Sequence, residues 1–148
     1  GGDYEGEDLF TDITGHWAYK YINRAAVLGL INGRGDGTFD PDADITRAEA
    51  MTIVNRTLGR KPDANHLLPD MITWPDNQDT TAWYYADVQE ATNSHDFDVI
   101  EINGEQKESW TTLLPVRDWA ALEREWSNAH SSSNPGDVMS DLTIDPNA

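Results

Sequence analysis

The chain has 148 residues, room for one ordinary domain or two small repeats. Its net charge of -17, from 27 acidic and 10 basic residues, leaves no basic face for phosphate and argues against nucleic acid. With no cysteine, neither a disulfide framework nor a thiolate zinc site can form.

Hydrophobic residues make up only 38%, and six tryptophans and five tyrosines compensate with large buried areas. No run is long enough to span a membrane, so no membrane insertion is expected. No leader pattern stands at Gly1, and the chain is expected to be a mature form or an excised piece.

Residues 1–9 are rich in glycine and acid and read as a flexible lead-in. Asp12 or Thr14 can cap a helix from about Gly15 to Leu28, stopped by Gly29. Its expected buried face carries Trp17, Tyr21, Ala25 and Leu28, widened by Ile22 and Ala26. Asp36, Gly37, Thr38 and Phe39 follow in a tight loop, with Phe39 turned inward. Thr46-Arg47-Ala48-Glu49 is a capping box that starts a second helix, expected from Arg47 to Leu58 and burying Met51, Val54 and Leu58. Arg47 takes the first helical position, where free N–H groups favour an anion and disfavour a cation. An exposed arginine there makes an anion site for a carboxylate or phosphate; the plainer alternative is a surface arginine paired with a nearby aspartate.

A polar connector with two prolines, residues 62–73, separates this half from a second one. There Trp74-x-Asp76 echoes Phe10-x-Asp12, while Trp83, Val88 and Ala91 repeat the offsets of Trp17, Ile22 and Ala25. Ile102-Asn103-Gly104 repeats Ile31-Asn32-Gly33, and Arg117 stands near the position of Arg47. These matches indicate an internal repeat of about 65 residues. Asn103-Gly104 is also a hairpin turn signal between alternating residues from Phe97 and a return over Ser109 to Leu113. A last helix is expected from Val116 to Trp126, and the residues after His130 read as a tail. The expected division is therefore 1–9 lead-in, 10–61 first repeat, 62–73 connector, 74–127 divergent repeat with the hairpin, and 128–148 tail.

Phe10-x-Asp12-Ile13, His16-Trp17-Ala18, Asp36-Gly37-Thr38-Phe39-x-Pro41 and Ile45-Thr46-Arg47-Ala48-Glu49 closely resemble the S-layer homology (SLH) domain. The second half resembles a divergent repeat that lacks both the Asp-Gly-Thr-Phe loop and the Thr-Arg-Ala-Glu box. The resemblance implies a mainly α-helical protein, with tandem helix–loop–helix repeats, a small hairpin and a pseudo-threefold bundle. It implies a non-catalytic anchor on the bacterial cell surface, extracellular, that binds secondary cell wall polymer, often through a pyruvylated sugar. Arg47 is then the first ligand contact, with Trp17, Asp36, Gly37 and Thr38 beside it and Arg117 as its analogue. Two repeats are visible where three are usual, so another repeat or a second chain is expected to complete the threefold.

Three other readings compete. A glycoside hydrolase needs a carboxylate pair, and none stands out; Asp40, Asp42 and Asp44 are more simply loop solvation. The four histidines, His16, His66, His95 and His130, have no ligand spacing, so no metal and no cofactor are expected. Asn32 to Asp40 superficially resembles a calcium loop but has Arg34 at the third position and Ala43 at the twelfth, where ligands are required. A structural module that mediates assembly at the cell surface, without glycan binding, is the main alternative. Trp17 and Trp83 are expected to be core more than site.

Overall fold

The computed structural model describes residues 4–130. Among the described residues, four short helices and one two-stranded antiparallel sheet are joined by long ordered loops. Helix is thus a modest fraction of the fold rather than its bulk. The chain divides into two units, Gly1–Leu114 and Pro115–Ala148.

The first helix, α1 (Tyr19–Val27), is shorter than expected. Gly15 sits at φ +80°, and residues up to Ala18 form turns instead of helix. Neither Asp12 nor Thr14 caps it: the Thr14 hydroxyl donates to Asp8, and Asp12 is committed to a loop. Gly29, at φ +73°, closes α1, with Gly29 N–H on the Ala26 carbonyl and Leu30 N–H on that of Ala25. Gly59 ends α2 (Arg47–Thr57) in the same way, on the carbonyls of Arg56 and Asn55. Both are Schellman stops, which need a residue at ease in the left-handed region. At the start of α2 the capping box is present in full: Glu49 N–H donates to Thr46 Oγ1 at 3.2 Å and Thr46 N–H to Glu49 Oε2 at 2.9 Å.

The core is small. Phe10, Ile13 and Ile22 are buried together, with Ala18, Ala26, Ile31 and Phe39 packed around them. Phe39 does turn inward, its ring 5.5 Å from that of Phe10. The expected apolar faces of the two helices are corrected, however. Tyr21 and Leu28 on α1, and Val54 and Leu58 on α2, are exposed, whereas Asn23, Thr52 and Asn55 are buried. Trp17 and Trp83 are not core either, being 81% and 64% exposed.

Buried amides explain the difference, because they clamp backbone that an apolar side chain would leave unsatisfied. Asn23 accepts the Leu9 N–H and donates to Asp8, so the end of the lead-in is tied down. Asn93 clamps Ile72, accepting its N–H at 2.8 Å and donating to its carbonyl at 3.1 Å. Asn55 donates to the backbone carbonyl and the carboxylate of Asp87, joining α2 to α3 (Tyr85–Thr92).

Asp12 organises the loop of residues 33–40. Its two oxygens accept the N–H groups of Phe39 and Asp40 at 2.9 and 2.6 Å. The Phe39 N–H, then that of Asp40, holds this carboxyl below its usual range. A depressed carboxylate stabilises the fold above its unfolded value near 3.8, and that stabilisation is lost as pH falls through the lower folded value. Asp12→Asn should therefore lower Tm at pH 7 and flatten the fall of Tm between pH 5 and about pH 2, measured by circular dichroism; an unchanged acid profile would contradict this role for Asp12.

The hairpin forms where Asn103-Gly104 placed it. Strands β1 (His95–Ile102) and β2 (Glu105–Leu113) pair antiparallel around a two-residue turn with φ +53° and +82°, the signature of a type I′ turn. A register shift between Asp96 and Phe97 leaves Thr111 as an extra residue on β2, a bulge near the end of that strand. The connector packs along β2: Glu108 N–H donates to the Lys61 carbonyl and Trp110 N–H to that of His66.

In the second unit, α4 (Trp119–Ala129) begins three residues later than expected, because Asp118 accepts the Ala121 N–H and caps it. Arg117 therefore precedes the cap and does not occupy the first helical turn. The expected tail after His130 lies outside the described residues.

Candidate functional site

The sequence-selected residues fall in four different places. Arg47 heads α2, and its guanidinium Nη1 lies 2.6 Å from both oxygens of Asp76. The same guanidinium stands over the Trp74 ring, 5.2 Å from its centre. Both partners come from the Trp74-x-Asp76 segment that opens the second half. This is the plainer of the two expected arrangements, a surface arginine paired with an aspartate, and the Arg47 hydrogen bond is the leading cause that lowers the Asp76 carboxyl below its usual range.

Asp36, Gly37 and Thr38 shape the loop. Asp36 Oδ1 accepts the hydroxyl and the N–H of Thr38 at 2.6 and 3.0 Å, and the Gly37 carbonyl accepts the Thr11 N–H at 3.0 Å. Trp17 lies on the turn before α1, its ring 5.7 Å from His16 and 6.5 Å from Tyr21. The His16 ring meets Asp42 at 3.0 Å, joining that turn to the next loop. Arg117 belongs to the second unit, where it stands 5.8 Å from the centre of the Trp119 ring.

The first unit carries a groove of about 340 Å³. Its walls are the Leu30–Arg34 turn, the Phe39–Ile45 loop, the inner side of α2 and, from the second half, Trp83. Two guanidinium groups, Arg34 and Arg56, reach it. Arg56 donates to the Leu30 carbonyl at 3.2 Å, and Arg34 makes a looser 3.4 Å contact with Asp40. A groove with one aromatic face, two cations and several backbone groups can take a sugar ring on the indole and a negative substituent on an arginine. Asp36, Gly37, Thr38, Trp17 and Arg47 do not line it. Sequence reading missed Arg34 and Arg56 as groove residues. Arg34 was read only as a misfit in an apparent calcium loop, and Arg56 sat late on a helix with no motif attached.

Comparison with known proteins places the first half. Residues 9–51 match the S-layer homology domain. The chain is 35% identical to cell surface glycoprotein 1 of Acetivibrio thermocellus over 107 residues, 71% of this chain and 4% of that protein. It is 38% identical to the cellulosome-anchoring protein of the same organism over 105 residues, 69% of this chain and 22% of that protein. An uncharacterized cell wall amidase of Bacillus anthracis is 25% identical over 127 residues, 83% of this chain and 23% of that protein. The chain thus spans less than a quarter of the length of each of these relatives. No solved structure matches it.

Proposed function

We propose, from the premise that residues 9–51 are an S-layer homology domain, that this chain is a non-catalytic module anchoring its protein to an acidic cell wall glycan on the bacterial surface. The coarser part, attachment at the cell surface, agrees with relatives named for cell-surface and anchoring roles. The name of the amidase relative does not locate its activity in the shared segment, which is 23% of that protein.

One observation carries the finer reading. The groove is built by the loops and second helix of the first half and closed by Trp83 of the second, so its indole wall exists only when the two halves pack. Trp83 offers an exposed indole face to a sugar ring, and Arg34 and Arg56 offer charge to a carboxylate such as that of a pyruvyl ketal. Arg47 joins them by exchange: the glycan carboxylate replaces that of Asp76 at the helix start.

Exchange makes a signed prediction. Asp76→Asn removes the competing charge and should tighten binding of an acidic wall fragment several-fold, while Arg47→Ala should weaken it about tenfold, the scale of one charge-assisted hydrogen bond. Tryptophan fluorescence titration reads both. Equal affinities for the two variants and wild type would remove Arg47 from the site and leave it as a strut holding Trp74 and Asp76 on α2.

The exposed apolar residues of the first half, Tyr21, Val27, Leu28, Val54 and Leu58, support the expectation of a further packing partner. In a tandem bundle a neighbouring repeat or a second copy covers them. Sedimentation equilibrium distinguishes the two: self-association implies a second copy, and a monomer at high concentration leaves the neighbouring repeat.

A further inference from the structure

Glu90 on α3, His95 at the start of β1 and Glu108 on β2 meet in the interior, with a donor atom from each within 4.8 Å of the others. Glu90 and Glu108 are 1% and 6% exposed, and the His95 side chain is 4% exposed. Groups with this charge are seldom buried unless fully paired, and here the pairing is incomplete. Glu90 Oε2 receives the Trp110 indole N–H at 3.0 Å, and Oε1 lies 3.5 Å from Arg60. Glu108 Oε1 receives the Lys61 N–H at 3.2 Å, but its buried Oε2 has no partner. Burial raises the Glu90 carboxyl above its usual range, His95 opposes the rise and Glu108 adds to it.

The histidine fixes the chemistry. Its Nδ1 lies 2.7 Å from the Asn93 carbonyl, and a carbonyl only accepts, so Nδ1 carries the proton. Nε2 then faces Glu90 Oε2 at 3.1 Å, an oxygen that already accepts from Trp110. Two lone pairs at that distance require a proton or a metal ion between them. The ring is held in place by stacking on Trp110, with centroids 3.9 Å apart and 17° between planes.

We propose that Glu90, His95 and Glu108 form a site for one divalent transition-metal ion, best fitted by zinc. An imidazole and two carboxylates supply three ligands of a tetrahedral zinc and leave a fourth position open. Bonds of about 2.0 Å in a tetrahedron put neighbouring donors about 3.3 Å apart, close to the Nε2–Oε2 distance. Glu108 Oε2 is the free, buried donor that completes the set by moving inward. The Nδ1–H bond to a backbone carbonyl is the outer-shell contact that orients a metal-bound histidine. A nitrogen donor disfavours calcium and magnesium, which take oxygen. The ion would staple the hairpin to α3, and because its ligands are spread over a helix and two strands, no spacing in the sequence announces it.

The test is zinc titration of chelator-stripped protein by calorimetry, with Tm followed in parallel and cobalt substituted as a spectroscopic probe. The expected result is one saturable site, a Tm raised by several degrees, and the intense visible bands of tetrahedral cobalt. Glu108→Gln keeps the shape and the Lys61 contact, and should lose the bands and most of the Tm gain. No saturable zinc binding by wild type would overturn the proposal, leaving an imidazolium between two carboxylates. Equal gains from calcium or magnesium, or a Glu108→Gln variant that binds as wild type does, would overturn it in favour of the acidic surface. Should that variant not fold, the wild-type cobalt spectrum decides alone: octahedral weak bands reject the site.

Discussion

Gly33→Ala should destabilise the first half by about 2–4 kcal/mol, the combined scale of a left-handed non-glycine residue and an overpacked core. Gly33 sits at φ +69°, and a Cβ there would lie 2.6 Å from the Thr38 carbonyl oxygen and against the Phe10 ring. Neither neighbour can give way. The Thr38 carbonyl accepts the Arg34 N–H at 2.8 Å, and Phe10 is buried in the core. Gly35 provides the control. At φ +88° it has the same conformational demand, but nothing lies within 4 Å of its Cβ position, so Gly35→Ala should cost only about 1–2 kcal/mol. Urea denaturation of the pair separates steric cost from backbone cost. Equal losses would mean that the Phe10–Gly33–Thr38 contact is not tight in solution.

The second large effect is expected at Ile13, which is 0% exposed and is clustered with the buried Phe10 and Ile22. Ile13→Ala should cost about 2–5 kcal/mol, and Ile13→Val about 0.5–1.5. For a domain with a total stability of about 5–15 kcal/mol, the alanine variant approaches the point of unfolding. The consequence extends to the site. Ile13 packs beside Phe39, Phe39 lines the groove, and Asp12 next to Ile13 holds the Phe39 N–H. Loosening this corner should release the groove loop together with the core. An Ile13→Ala variant as stable as wild type would show that the core cluster carries little of the folding energy.

Features governed by local chemistry were legible in the sequence. The capping box, the glycine stops of α1 and α2, the Asn-Gly hairpin and the inward Phe39 all follow from short-range rules. The helix faces were less legible. Apolar periodicity drew Trp17, Tyr21, Leu28, Val54 and Leu58 to the interior, but the structure gives the buried positions beside them to Asn23, Thr52 and Asn55. Asn23 and Asn55 satisfy backbone groups of distant segments, Thr52 bonds the Ala48 carbonyl of its own helix, and a hydrophobic count assigns no value to either service. Arg47 was readable either as an anion site or as a surface arginine paired with a nearby aspartate, and the pairing is the arrangement seen. Its partner Asp76 lies 29 residues away and depends on how the two halves pack. Trp83 was visible as the counterpart of Trp17, yet only tertiary structure puts it on the wall of a groove.

The most direct test of the anchoring account is co-sedimentation with purified cell wall sacculi, before and after the secondary polymer is stripped, for wild type, Trp83→Ala and Arg47→Ala. The account predicts that wild type pellets with intact sacculi only. Trp83→Ala, an exposed substitution that should leave the fold unchanged by circular dichroism, should remain largely in solution, and Arg47→Ala should bind weakly. A folded wild type that ignores intact sacculi, or that pellets equally well without the polymer, would contradict glycan anchoring and favour a module for protein assembly at the cell surface.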